Sequence, residues 1–319
     1  MEYRSVKGFT GWGQIGILFV FLAAGIVIAG VLHLFFANLV LPAGKSISDS
    51  DAIVKALMAP ENVNIARLNQ IFSSFALLGM PALGFTFICN GKSMQWLGFS
   101  KHISATQILI GFVIMIVTAI AAGPLEGITK AIVIHFPTID ASAKKMEELY
   151  KVQTDALSNL KSFPEYIFGL IVMAIFPAIF EEIFFRGAMQ NIFVRWLKNP
   201  WVAILITSII FSLIHSSIYL FLSRLALGYA LGLMYYYTKN IWINIAIHFI
   251  NNGLILTVMY VQRNAIKKTA IEGLEQQLPW VFALCACVAL VWLFKALINA
   301  SVINKKIIEE KENLLITNN

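Results

Sequence analysis

Three short polar clusters interrupt long apolar stretches of this sequence. They are Glu181-Glu182 with Arg186 close behind, Phe211-Ser-Leu-Ile-His215, and His248-Phe-Ile-Asn-Asn252. Neighbouring residues on a helix diverge by about 100°, so Glu181 and Glu182 cannot point the same way. Arg186 lies four residues beyond Glu182 and can pair with it, which leaves Glu181 for another partner. Pro177, just upstream, removes a backbone hydrogen bond and is expected to kink the helix, opening space for water or substrate. His248 and Asn252 are four apart and share a helix face. His215 is expected deep within an apolar helix, where a lone histidine would be a packing residue. Taken together, one carboxylate, two imidazoles and a carboxamide on three separate segments each need a buried partner and each can supply one. A single shared polar centre satisfies them all at the lowest cost. A glutamate with a histidine can activate water, and a histidine with an asparagine can donate to a developing oxyanion. That is equipment for hydrolysis. His33 and His135 have no such companions and His102 lies in a loop, so these three read as structural.

The elements that must carry these residues are membrane spans. Of 319 residues, 59% are hydrophobic and 13% charged, and the mean hydropathy is +0.77. A soluble domain is nearer half apolar and a quarter charged. A span needs about 20 apolar residues. Ile15–Val40 is too long for a signal-peptide core and reads as an uncleaved first helix. Seven further candidates follow: Leu68–Cys89, Ile103–Ala122, Phe163–Phe185, Val202–Tyr219, Leu220–Tyr237, Ile241–Val261 and Pro279–Ile298. The expected fold is all-α, a polytopic transmembrane bundle of about eight spans around a polar active-site centre. Ile128–Phe136, after the Gly123-Pro124 break, either extends the third span or dips back into the bilayer. Glu181 lies about 20 Å along its helix from Ile167, inside a hydrocarbon core about 30 Å thick, where an ionisable side chain costs about 2.5–3.5 kcal/mol.

Two longer polar connections run over Pro42–Arg67 and Pro137–Ser162. In the second, Met146, Leu149, Tyr150, Leu157 and Leu160 recur at helical spacing, as in an amphipathic helix on the bilayer surface. The tail from Asn304 reads as polar and frayed. The net charge of +7 is spread singly and in pairs between apolar runs. This suits anionic headgroups rather than nucleic acid. Lys and Arg divide almost evenly between the two faces, which leaves orientation open. Cys89, Cys285 and Cys287 all fall in apolar segments and read as packing residues.

In order and spacing the three clusters resemble the CAAX prenyl-protease and bacteriocin-processing family, which contains the type II CAAX endopeptidases. Its pattern is Glu-Glu-x-x-x-Arg, then Phe-x-x-x-His, then His-x-x-x-Asn on successive helices. The helix between the last two motifs is similar too, as Leu225-x-x-Gly228-x-x-x-Gly232-x-x-Tyr235. The resemblance covers Phe163–Val261. It divides the chain into N-terminal helices and surface loops (1–162), catalytic core helices (163–261) and a C-terminal span with its polar tail (262–319), all within one membrane domain.

The resemblance implies a CAAX-protease-like intramembrane endopeptidase, a multi-pass protein of the plasma (inner) membrane. Its partners would be the lipid bilayer and a peptide or membrane-protein substrate. Glu181 and His215 would activate the attacking water, Glu182 and Arg186 would complete the first motif, and His248 with Asn252 would hold the oxyanion or a metal. Any zinc would be held by Glu181, His215 and His248. The chain has no His-Glu-x-x-His helix. Asn252 is a better donor than zinc ligand, and Glu182 is expected to be occupied by Arg186, so none is left to orient a zinc-bound histidine. The balance favours chemistry without a metal. Two other classes stay open: a non-catalytic scaffold or bacteriocin-immunity protein using the polar centre as interhelical glue, and an ion or proton transporter. The absence of an evident repeat weakens the latter.

Overall fold

The computed structural model describes residues 3–262 and 280–317. Ten helices account for most of them: α1 Gly11–Val40, α2 Ser50–Leu57, α3 Val63–Asn90, α4 Ala105–Val133, α5 Pro137–Leu157, α6 Phe163–Leu197, α7 Pro200–Ile214, α8 Phe221–Thr238, α9 Ile241–Gln262 and α10 Trp280–Thr317. No strand occurs among the described residues beyond a lone bridge between Arg4 and Thr10. The fold is a polytopic helical bundle.

Each of the eight expected segments contains a helix, but the expected Val202–Tyr219 stops being helical after Ile214, and Pro279 at the start of the last segment lies outside the described residues. Among the described residues six helices (α1, α3, α4, α6, α9 and α10) are long and apolar enough to cross a membrane. The other two are the exceptions to the expected count. α7 is apolar but has 15 residues, and α8 has 18 and carries Arg224 in its first turn. At 1.5 Å per residue α7 extends about 22 Å, short of a hydrocarbon core about 30 Å thick.

Local sequence sets these boundaries. Asn199 caps α7, its Oδ1 accepting from the amides of Trp201 and Val202, with Pro200 in the first turn. There proline loses no helical bond. α4 runs through Gly123-Pro124 to Val133, so Ile128–Phe136 mainly lengthens the third span. α10 continues as helix to Thr317, correcting the expected frayed tail; Lys305 and Glu309 face each other one turn apart along it.

α6 is not a uniform α-helix. Two stretches, Ile171–Ile175 and Glu182–Gln190, are wound as π-helix, and in the first the Phe176 amide donates to the Ile171 carbonyl. Pro177 follows directly, in the first turn of the resumed α-helix. The wider turn absorbs the amide that proline lacks, and such turns gather at functional sites.

The bundle core has two parts. One packs α6 against α1, α3, α7 and α8 through residues such as Phe85, Phe184, Phe185, Phe211 and Tyr235. The other joins α4, α8, α9 and α10 through Ile114, Leu231, Met234, Ile247 and Leu297. α7 and α8 approach closely because α8 presents glycines. A Cβ on Gly232 would lie 2.6 Å from Ile204 Cγ2, and one on Gly228 would lie 3.0 Å from Phe211 Cδ1. Large apolar side chains such as Phe19, Val27, Leu109, Leu284 and Trp292 point outward. This is the surface of a helix bundle that faces lipid. Cys285 and Cys287 are exposed on α10, and only Cys89 is a packing residue. α10 touches the bundle along one side only, so apolarity there did not mean burial.

Candidate active site

The centre of the site is the side chain of Glu182, fully buried within the π-wound part of α6. Its carboxylate collects three donors from two helices. Arg186 Nη1 donates to Oε1 at 2.9 Å, His248 Nδ1 lies 2.9 Å from the same oxygen, and Asn244 Nδ2 donates to Oε2 at 3.1 Å. Arg186, 1% exposed, also donates to the Gly228 carbonyl at 3.1 Å, and its guanidinium carbon lies 4.7 Å from the Phe211 ring centre. Asn244 donates in addition to the Leu231 carbonyl at 2.8 Å. One buried ion pair thus ties α6, α8 and α9 together. Such a pair persists in the interior only when its remaining donors and acceptors are met, as most are here.

Glu181 points elsewhere, as neighbours on a helix must. Its Oε2 is buried without a hydrogen-bond partner among the described residues. It lies 3.7 Å from His215 Nε2 and 3.9 Å from His248 Nε2. Each imidazole is fixed from behind. His215 Nδ1 lies 2.6 Å from the Phe211 carbonyl, which can only accept, and His248 Nδ1 lies against Glu182. Both rings therefore carry a proton on Nδ1 and turn Nε2 toward Glu181.

His215 is not inside its helix. It is the C-cap residue of α7, and Ser216 follows with φ +51°, a left-handed turn that ends the helix. Because α7 is short, its end still lies within the thickness of the bundle. Asn252, one turn beyond His248, lines the same space; its Oδ1 accepts from Asn251 at 3.3 Å. The space is a cavity of about 430 Å³. Glu181, His215, His248 and Asn252 share it with Phe211, Leu227, Leu231 and Met259, while Glu182 and Arg186 stay behind the wall. The inner face of α5, with Tyr150, Gln153, Thr154 and Leu157, covers one side. The amphipathic helix expected at the bilayer surface is thus also a wall of the site. It is tied down outside by Tyr219 donating to Asp140 at 2.6 Å and Ser217 donating to Glu147 at 2.9 Å.

Asn244 is the neighbour that sequence reasoning passed over. It stands four residues before His248, the same spacing that singled out Asn252 on the other side, so the signal was present. Gln190 repeats the pattern on α6, donating to the Gly232 carbonyl at 2.9 Å one turn beyond Arg186. Of the histidines set aside, His33 pairs with Asn69 and His102 with Lys311, away from the cavity.

The donor types around Glu181, one carboxylate and two imidazoles, are those zinc takes in catalytic sites. Among the described residues, however, no group of three or more His, Cys, Asp or Glu side chains is arranged to hold an ion. The set does not close around a metal as it stands. Contrary to the expectation from the sequence, Arg186 does not use up Glu182, because a carboxylate accepts at four lone-pair sites and this one serves His248 as well. His248 therefore has the carboxylate behind it that metal-bound histidines usually have.

Residues 163–254 match the model of the family described as type II CAAX prenyl endopeptidase Rce1-like. The matched segment runs from the start of α6 to just past Asn252, and it contains all six of the residues singled out from the sequence. The match supports assignment of this segment to the CAAX-protease family. No curated protein and no solved structure matches the chain.

Proposed function

We propose that this protein is an intramembrane endopeptidase in which Glu181 and His215 activate a water molecule for attack on a peptide carbonyl. The observation that carries the reading is the buried, unpartnered oxygen of Glu181 facing two imidazoles in a cavity large enough for a peptide segment. A water between Glu181 and His215 would give up its proton to this pair as its oxygen bonds to the carbonyl carbon. The carbonyl oxygen, now negative, would be met by Asn252 Nδ2 and by His248 Nε2. Since His248 Nδ1 already donates to Glu182, Nε2 donates only from an imidazolium, which the carboxylates on both sides can hold. The proton taken from water then passes to the leaving amine as the C–N bond breaks. Glu182, Arg186 and Asn244 act as positioning residues.

In this reading α6–α9 form the catalytic core of the division 1–162, 163–261 and 262–319, and the protein works in the plasma membrane on a peptide or membrane-protein substrate. The test is Glu181→Gln. It keeps size and polarity but removes the base, and a general base contributes about 10²–10⁴-fold. Peptide profiles of membranes carrying the parent should show products that are missing with the variant, at equal expression and insertion. Undiminished cleavage by purified Glu181→Gln protein would refute the assignment.

A further inference from the structure

The cavity holds one charged group that the chemistry above does not use. Arg224, in the first turn of α8, is the only lysine or arginine along its lining among the described residues. Its Nη1 donates to the backbone carbonyl of His215 at 2.8 Å, and its guanidinium carbon lies 5.0 Å from the ring centre of Tyr150 on α5. A guanidinium has five N–H donors in a fixed fork. Among the described residues no other hydrogen bond and no ion pair draws on the four that remain.

Its surroundings accentuate this charge. The first turn of a helix is its positive end, and α8 has no acidic residue there to offset it. The Tyr150 ring lies against the guanidinium. The His215 carbonyl holds one nitrogen, and the rest of the fork is left for whatever enters the cavity. Glu181 lies at the imidazole end of His215 and Arg224 at its backbone end, so the cavity has an anionic and a cationic pole separated by a single residue. A half-buried arginine with no counter-ion among the described residues is costly to maintain, and an anionic ligand removes that cost. Planar, bidentate recognition of a carboxylate is what this fork does best.

We infer that Arg224 is a specificity residue that binds a carboxylate of the peptide substrate, placing it on the His215 side of the bond to be cut. The inference rests on the proteolytic reading. Two sources share this chemistry: the α-carboxylate of a peptide C-terminus and an Asp or Glu side chain.

Three fluorescein-labelled apolar heptapeptides separate the possibilities: one with a free C-terminal carboxylate, its C-terminal amide, and the amide with a glutamate at the penultimate position. Binding by anisotropy and cleavage are followed for the full chain in lipid nanodiscs, as parent, Arg224→Gln and Arg224→Lys. The parent is expected to bind one or both carboxylate peptides about 10- to 100-fold more tightly than the plain amide, the value of one charge-assisted bond. Whichever peptide has the advantage identifies the source. Arg224→Gln should raise KM for that peptide by the same factor, with a loss on the plain amide at least several-fold smaller, and Arg224→Lys should restore part of it. Equal binding of all three peptides by the parent overturns the inference. So does a uniform loss across all three in Arg224→Gln, which would mean that Arg224 only holds His215 in place. If no peptide is bound or cut, the proteolytic reading falls with it.

Discussion

Replacing Arg186 with methionine isolates what the buried ion pair contributes. Methionine fills a similar volume without charge, so the variant leaves the fully buried Glu182 carboxylate with only Asn244 and His248 as donors. Removing one partner of a buried pair costs about 3–5 kcal/mol. Two hydrogen bonds to Glu182 survive, which favours the lower part of that range. The Gly228 carbonyl also loses its donor, adding about 1–3 kcal/mol. A net loss of about 4 kcal/mol corresponds to a fall in Tm on the order of 10 °C. The assay is a thermal melt of purified protein in detergent, followed by intrinsic fluorescence, with proteolysis measured well below the transition. The double variant Glu182→Gln with Arg186→Met removes the stranded charge and should recover a substantial part of the lost stability. An Arg186→Met protein as stable as the parent but inactive would refute the reasoning and put Arg186 in the chemistry itself. A double variant no more stable than the single would show that the two side chains are not coupled.

Three other outcomes are expected. Active protein stripped by exhaustive chelation should keep its activity and contain no stoichiometric zinc; loss on stripping with recovery on zinc return would overturn the metal-free order of events. Gly232→Ala places a methyl 2.6 Å from Ile204 Cγ2 and 2.9 Å from Gln190 Oε1. The overpacking should cost about 1–3 kcal/mol, visible as a lower melting temperature and yield. The attachment of α5 should depend on pH at both extremes. Hydrogen bonds from Lys144 and Tyr219 hold the Asp140 carboxyl below its ordinary value, so that contribution is present above the usual carboxylate range and lost as pH falls through the lowered value. The bond to Asp140 pushes the Tyr219 phenol up to about 12, so its contribution is complete below about 10 and is lost as pH rises past the raised value. Protection of α5 amides, taken relative to their intrinsic exchange rate at each pH, should be greatest between these limits, and Tyr219→Phe should remove the alkaline loss.

The candidate site was legible because its residues lie four apart on helices, and that spacing survives folding whatever the tertiary arrangement. Glu182 with Arg186 came from it directly, as did the divergence of Glu181 toward a separate partner. Three features left weaker traces. The π-wound turns of α6 depend on how Pro177 and the buried charges are accommodated, which no apolar pattern encodes. His215 at a helix end depends on the left-handed turn at Ser216, a conformation serine does not advertise. Glu182 serving both Arg186 and His248 depends on the approach of α9 to α6, a tertiary fact. Arg224 was an intramembrane cation of the kind that marks a site, yet it stood at the edge of an expected span and had no motif partner. Hydropathy located the spans well but not their reach, since composition does not say where a cap ends a helix. Nor does it say which apolar face meets protein, as Cys285 and Cys287 demonstrate.

The brevity of α7 has a consequence for the surrounding lipid. A helix about 22 Å long beside neighbours that exceed the bilayer's hydrocarbon depth leaves a shortfall of about 8 Å on one side of the bundle. A bilayer relieves such a mismatch by thinning locally, drawing headgroups and water inward around the short element. The end of α7 is His215, which lines the cavity, so thinning at that end of α7 would lie over it. Hydrolysis in hydrocarbon is limited by the supply of its second substrate, and under the proposed function the deformed leaflet would itself bring water to His215. Membrane thickness would then be a variable of the proposed activity: thicker bilayers raise the elastic cost of that dimple by fractions of a kcal/mol per Å, and thinner ones relieve it.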